Sequence, residues 1–400
     1  MKKFINSYKF PLLLLSSVIL GSLVGLFFKS SVVYLKPFGE IFLNMMYTVV
    51  VPLVFFTISS SIANMINLKR LGKILYTVFF VFFIMSAVAA IYMIVVTYIF
   101  NPVNASISLE SGTSETVNLS DQIVKALTVT DFNLILSRSN MLPLIVFSIL
   151  FGIATSLTKS NTVKKFLDEA SNINMKIVKI IMYYAPIGLF SYFASLTSSY
   201  GSELLGSYAK AMIIYYLATI VFFFVFYTIY AYIAGGKKGI RSFYRNQMEV
   251  TLTSLATQSS LASLPSNLEV TEKMGVPKDI REVTLPIGTT MHMDGSSMGS
   301  ILKIVFLFSI FNYDFNGLST ILIAILIAIM SSVVMSGIPG GGLIGEMLIV
   351  SLYGFPASAF PIIATIGWLI DPPATMLNVV GDTTSSMVVT RIIDGKNWLK

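Results

Sequence analysis

The chain has 400 residues, of which 55% are hydrophobic and only 12% are Asp, Glu, Lys or Arg. That charged fraction is about half the usual value for soluble domains, which excludes an ordinary soluble fold and a disordered chain and leaves a polytopic all-α membrane protein. The 27 basic residues against 19 acidic ones give a net charge of +8, which we assign to cytoplasmic loops rather than a nucleic-acid surface, while zero Cys and one His exclude disulfide scaffolds, thiolate centres and multi-histidine metal sites.

The basic start MKKFINSYKF leads into the apolar run PLLLLSSVILGSLVGLFF (11–28). It has no small-residue cleavage site and is closed by Lys29, so it reads as a span and not a signal peptide. Further apolar stretches at 39–63, 74–100, 141–157, 174–198 and 208–234 match the roughly 20 residues a helix needs to cross hydrocarbon. Basic residues gather at alternate ends: Lys2, Lys3 and Lys9 before the first span; Lys69, Arg70 and Lys73 after the second; Lys159, Lys164 and Lys165 after the fourth; Lys237, Lys238, Arg241 and Arg245 after the sixth. The other loops carry Glu110, Glu115, Asp121 and Glu203. The positive-inside rule therefore places the N-terminus in the cytoplasm.

Beyond residue 247 the apolar pattern is interrupted by Ser, Thr, Gly, Pro and isolated acids. A segment at 247–268 starts after one charged stretch and ends at another (269–282), so it reads as a re-entrant hairpin with the tip TQSSLASLPSN (257–267). A single helix at 283–310 then crosses. Residues 318–355 contain the break SGIPGGG (336–342) and form a second hairpin opening outside, and a last helix at 360–390 returns to Arg391 and Lys396 inside. The reading is eight crossings and two opposed hairpins, each hairpin followed by a helix with a polar middle. This has the form of an inverted repeat, in which broken helices build a site from exposed backbone. The competing reading is ordinary helices with Gly and Ser at packing faces.

Acids inside a membrane cost about 2.5–3.5 kcal/mol each on insertion scales, so Asp294, Asp371 and Asp382 are functional candidates. Asp371 and Asp382 lie eleven residues apart and Asn378 lies seven after Asp371, which puts the three on one broad helical face. Lys303 is the only Lys or Arg between Arg281 and Arg391. Bound cations or an ammonium group are therefore the expected counter-charges.

The stretches PFGEIFLNMMYTVVVPLVFFTISSSIA (37–63), NMLPLIVFSILFGIA (140–154), YYAPIGLF (183–190), the Ser-rich 257–265, GTTMHMDGSS (288–297), SGIPGGG and IDPPATMLNVVGD (370–382) occur in this order. Together they resemble the glutamate-transporter-homologue family, the dicarboxylate/amino acid:cation symporters. The resemblance implies a homotrimer working by an elevator movement. Its scaffold would be residues 1–70 (helices 1 and 2) and 103–207 (external loop, helices 4 and 5). Its transport part would be residues 71–102 (helix 3) and 208–400 (helices 6 to 8 and both hairpins). It further implies that Asp371 binds the substrate amine and that Thr375 and Asn378 line the same site. Ser259 and Ser260 would meet the α-carboxylate, Met293 and Ser296 would line the pocket, and Ile338 and Pro339 through Gly342 would form the external gate.

Two departures from the family set the substrate expectation. Members that bind acidic amino acids place an Arg three residues after the amine-binding Asp, where this chain has Ala374, and another at the first hairpin tip, where it has Gln258. A second carboxylate would be desolvated without its bidentate partner, so a neutral amino acid is expected. The alternative is that Lys303 or Arg391 supplies the charge and the substrate is an acidic amino acid or a C4-dicarboxylate.

For sodium, the resemblance implies one site from the Asp382 carboxylate with carbonyls of Gly288, His292 and Asn378. A second would use carbonyls near Thr290, Ser332, Val333 and Met335. A third would fall on Phe82, Met85, Ser86, His292 and Asp294, where three of the family's oxygen donors are absent. His292 is either a core residue or, beside Asp294, a proton carrier. Glu346 is either a second proton carrier or a carboxylate facing an external vestibule. The expected function is a symporter in the cytoplasmic membrane, with both termini inside, coupled to Na+ with H+ as a second coupling ion and using no organic cofactor. An ion channel would need a continuous polar pore, and a membrane enzyme built on Ser259, His292 and Asp294 would need an elbow around the Ser that the sequence lacks.

Overall fold

Long apolar runs fold as helices here because within hydrocarbon a chain satisfies its backbone N–H and C=O groups only by closing them onto itself. The computed structural model describes residues 2–28, 31–63, 71–103, 128–137, 140–158, 160–200, 203–334, 342–356, 358–396 and 398–399, and no strand occurs among them. The principal helices are α1 (Lys2–Phe27), α2 (Lys36–Ala63), α3 (Leu71–Ile99), α4 (Met141–Leu157), α5 (Asn161–Tyr200) and α6 (Glu203–Asn246). They continue as α7 (Met248–Thr257), α8 (Ser260–Lys273), α9 (Lys278–Met291), α10 (Asp294–Ile310), α11 (Leu318–Val334), α12 (Gly342–Tyr353) and α13 (Ala359–Asp394). By length and composition, the stretches Ile74–Ile99, Gly206–Asn246, Lys278–Ile310 and Ala359–Asp394 are apolar enough to cross a membrane. The crossings expected at 11–28, 39–63 and 141–157 are helical too, but their described apolar stretches are shorter, Ser16–Phe27, Val51–Ser60 and Val146–Leu157, and the one expected at 174–198 lies inside the 40-residue helix α5, which contributes no such stretch among the described residues.

Two packing groups emerge. In the first, α1, α2 and α4 pack with α5 or with one another. Gly21 and Gly25 of α1 lie directly against the backbone of Phe190 and Ala194 on α5, so any larger residue there would force the helices apart. The Ser59 hydroxyl donates to the Ser148 carbonyl at 3.0 Å, and the Ser60 hydroxyl donates to the Asp168 carboxylate. In the second group α13 packs against α3, α6, α7, α8, α9, α10 and α12. The apolar windows of Lys278–Ile310 and Ala359–Asp394 are 89% and 78% buried against 33% for Gly206–Asn246, which puts α9, α10 and α13 at its centre. The groups meet where α12 touches α2 and α4, where α1 touches α7 and α13, and where α5 touches α6.

Three sequence expectations are corrected. The helix expected at 283–310 is two helices, α9 and α10, broken at His292 (φ −108°, ψ 104°) and Met293 (φ −137°, ψ 71°). The first hairpin, expected over 247–268, runs from Met248 to Lys273, because the acids and lysine read as a charged loop extend α8 through the i,i+4 pair Glu269–Lys273 at 2.7 Å. The first helix begins at Lys2 rather than at Pro11.

Candidate functional site

Among the described residues, three backbone interruptions converge on the centre of the second group. The first is the tip between α7 and α8, where Gln258 is left-handed (φ 50°, ψ 35°) and Ser259 is extended. Ser259 is the N-cap of α8, accepting from the Ala262 N–H at 3.2 Å. Its hydroxyl oxygen thus caps the helix, and of the tip residues Gln258 and Ser260 line the cleft. The second interruption is the break between α9 and α10, which turns Met293 and Ser296 into the same cleft. Asp294 sits in the first turn of α10, where the helix dipole favours a negative charge.

The third interruption is Pro372-Pro373 within α13. Proline supplies no N–H to the carbonyl four residues earlier, so the Trp368 and Leu369 carbonyls lose their helical partners. The Tyr216 hydroxyl donates to the Leu369 carbonyl at 3.0 Å, replacing one of them. Other tyrosines of α6 also donate to backbone carbonyls: Tyr208 to Ile362 at 3.1 Å, Tyr215 to Gly295 at 2.7 Å and Tyr227 to Leu377 at 2.6 Å. Tyrosine hydroxyls thus tie α6 to the backbone of α10 and α13. The tip expected for the second hairpin is SGIPGGG (336–342). Ile338, Pro339 and Met335 lie outside the described residues, and the description resumes at Gly342, which lines the cleft.

On α13, Asp371, Ala374, Thr375 and Asn378 line this cleft, whereas Asp382, expected on the same face as Asp371 and Asn378, turns away from it toward His292. Asn378 and Ser296 form a reciprocal pair: the Ser296 N–H donates to Asn378 Oδ1 at 3.2 Å, and Asn378 Nδ2 donates to Ser296 Oγ at 3.1 Å. Lys303 and Glu346 also line the cleft, joined at 2.7 Å between Nζ and Oε1 with side chains only 5% and 2% exposed. That overturns the reading of Glu346 as a carboxylate facing an external vestibule. The charges acting on Asp371 are Lys303 and Glu346. The expectation that cationic side-chain partners are scarce near Asp371 therefore holds in count, with one lysine, but that lysine is close.

A second cluster lies deeper. His292 is completely buried between two buried carboxylates, Nδ1 at 3.1 Å from Asp382 Oδ1 and Nε2 at 3.2 Å from Asp294 Oδ1, and its ring stacks on Phe82 at 4.5 Å. His292 is therefore a core residue that also bridges two carboxylates. Tyr227 reaches Asp294 Oδ2 at 3.3 Å. Gly288 and Gly381 leave the room for this: a Cβ on Gly288 would collide with the Asp382 carboxylate, and one on Gly381 would lie 2.9 Å from His292 Cε1 and 3.0 Å from Asp294 Oδ2.

As a cation site the cluster has mixed credentials. Asp382 Oδ2 is buried with no hydrogen-bond partner and Gly288 lies beside that carboxylate, as the first expected sodium site requires. Among the described residues, however, no group of three or more acid, imidazole or thiol side chains is arranged to hold a metal, so any cation must draw on carbonyl and hydroxyl oxygens, donors suited to a hard ion. At the third expected site Phe82 and Met85 are buried and offer no oxygen, while Ser86 is buried nearby on α3. Of the second site, Thr290 and Ser332 place their hydroxyls on the Ile287 and Ile329 carbonyls at 3.0 and 2.7 Å, and of Val333 only its helical backbone is described.

The sequence profile of the family described as "Sodium:dicarboxylate symporter family" matches residues 10–392. The chain is 27% identical over 395 residues to the proton/sodium-glutamate symport protein of Bacillus caldotenax, covering 94% of this chain and 92% of that protein. It is 28% identical over 392 residues to the proton/glutamate-aspartate symporter of Bacillus subtilis (strain 168), covering 94% and 93%. A C4-dicarboxylate transport protein of Mesorhizobium japonicum is 28% identical over 391 residues, covering 94% and 81%.

Proposed function

Because this chain belongs to the sodium:dicarboxylate symporter family, a family of transporters and not of enzymes, we propose that it is a symporter for a small neutral amino acid, driven by sodium. The observation that carries the substrate is the charge of the cleft. Its lining holds Lys303, Glu346 and Asp371, and Lys303 is already engaged by Glu346. The substrate ammonium neutralises Asp371. Its α-carboxylate meets the free N–H groups at the start of α8, next to Ser260, where backbone donors and the helix dipole favour an anion. A second carboxylate finds Ala374 and Gln258 where a guanidinium would be needed, and its desolvation is uncompensated. A dicarboxylate without an amine would leave Asp371 unpaired.

Sodium enters as a second substrate, with the Asp382 carboxylate and nearby backbone carbonyls as its receptors. The packing supports assigning α1, α2, α4 and α5 to a static scaffold and α3 with α6 to α13 to the moving part of an elevator, with eight crossings and two re-entrant hairpins. A trimer in the cytoplasmic membrane, with both termini inside, completes this reading.

The names of the relatives favour a second reading, an acidic amino acid or C4-dicarboxylate as substrate. In that case Glu346 must release Lys303 on binding. Thermal melting of the purified protein against the twenty amino acids, succinate and malate, each with and without sodium, separates the two. Binding stabilises the folded state by mass action. Stabilisation by a neutral amino acid is expected, and stabilisation by aspartate, glutamate or a dicarboxylate alone refutes the neutral reading.

A further inference from the structure

Lys303 and Glu346 come from α10 and α12, 43 residues apart in sequence, and meet inside the cleft at 2.7 Å. Space for them comes from Gly367, one turn before Asp371 on α13: a Cβ there would fall on the Glu346 carboxylate and 3.2 Å from Lys303 Nζ. The pair is therefore built into the face that carries Asp371. Stability alone accounts poorly for it. A buried ion pair repays its desolvation only when its remaining oxygens are also satisfied, and Glu346 Oε2 is buried with no hydrogen-bond partner.

We infer that Glu346 is a specificity-determining residue: by occupying Lys303, the one cation among the described residues that line the cleft, it withholds that charge from a second carboxylate on the substrate. The inference rests on the neutral-substrate reading and deepens it. Without Glu346 the cleft holds Asp371 for an ammonium and a free Lys303 for a distal carboxylate, the charge pattern of an acidic amino acid. Selectivity is then held by a carboxylate on the second hairpin's returning arm, in addition to the absent arginines at Ala374 and Gln258.

The test uses the full-length protein, wild type and Glu346→Gln, melted with neutral amino acids, aspartate and succinate in sodium, and then assayed for uptake in proteoliposomes. The wild-type arm is read first and reports only on the neutral-substrate reading; a preference for aspartate or succinate there sinks that reading and the inference together. With the wild type selective for a neutral amino acid, Glu346→Gln should raise the affinity for aspartate relative to that amino acid by about tenfold or more, the scale of one charge-assisted contact. Lys303→Met added to Glu346→Gln should abolish the gain. An unchanged ratio in a folded Glu346→Gln protein, or a gain that survives loss of the lysine, overturns the inference while leaving the neutral reading standing. Should Glu346→Gln aggregate, extraction in aspartate should restore a monodisperse protein by returning an anion to Lys303, and failure of aspartate to do so where the neutral amino acid succeeds also overturns it.

Discussion

Replacing Asp371 by Asn changes the cleft by one charge at nearly constant volume. The lining carries one positive and two negative side chains, Lys303 with Glu346 and Asp371, so the substitution takes it from one net negative charge to none. Because Lys303 and Glu346 are joined at 2.7 Å, the lost charge is the one available to an incoming ammonium. Removing one partner of a desolvated, hydrogen-bonded charge pair costs about 2–5 kcal/mol, or about 30-fold to a few thousand-fold in affinity. Titration calorimetry of the purified protein with its neutral amino acid in sodium measures this directly. Thermal melting without ligand serves as the control, since the carboxamide keeps the shape of the carboxylate and the fold should be retained. An affinity within about threefold of wild type would refute Asp371 as the amine receptor. Sodium binding measured without amino acid should change little, because the Asp382 receptor lies eleven residues further along α13 and turns toward His292.

Ala374→Arg restores a guanidinium on the Asp371 face, and aspartate affinity should rise by about tenfold or more, read by the same calorimetry; no gain would mean that Pro372-Pro373 sets a different turn from the one the motif implies. Gly381→Ala places a Cβ 2.9 Å from His292 Cε1 and 3.0 Å from the Tyr227 hydroxyl. Such overpacking costs about 1–3 kcal/mol, so melting temperature should fall and the extra stabilisation by sodium should shrink; an unaltered sodium response would place the cation elsewhere. Tyr227→Phe strips the buried Leu377 carbonyl of its 2.6 Å donor and should lower stability by about 1–3 kcal/mol, measured by thermal melting, whereas a neutral effect would mean that water replaces the hydroxyl.

The long helices and the α7–α8 pair were legible because each rests on a local pattern, apolar length or loop charge, whereas helical spacing alone put Asp382 on the face of Asp371 and Asn378, from which the packing turns it toward His292. The break at His292 was not legible, since Pro286 and Gly288 fall inside α9 rather than at the break, and the signal, Asp294 opening a new helix with Gly295 and Ser296 behind it, resembles a polar patch in a continuous span. The end of α8 was misplaced because Glu269, Glu272 and Lys273 look like a loop until their pairing along one helix face is seen. Most opaque was the long-range pairing of Lys303 with Glu346, which no sequence pattern joins because it depends on how α10 and α12 pack around Gly367.

The proposed substrate and cation sites share the same pair of helices, and on that reading symport follows from this geometry. At the break, Met293 and Ser296 face the cleft while His292 and Asp294 face the buried cluster. Along α13, Asp371, Ala374 and Asn378 face the cleft while Gly381 and Asp382 face the cluster. Two hydrogen-bonded links cross between the helices: Ser296 with Asn378, and the Tyr227 hydroxyl that donates to Leu377 and approaches Asp294. A cation that draws on Asp382 or on carbonyls near the break must fix the backbone that presents Met293 and Ser296 to the substrate. Fixing it in advance lowers the ordering cost of binding, so the cation favours the substrate, and linkage requires the substrate to favour the cation by the same factor. Reciprocal coupling of this kind needs no wire between distant sites, only one irregular segment whose two faces serve two ligands.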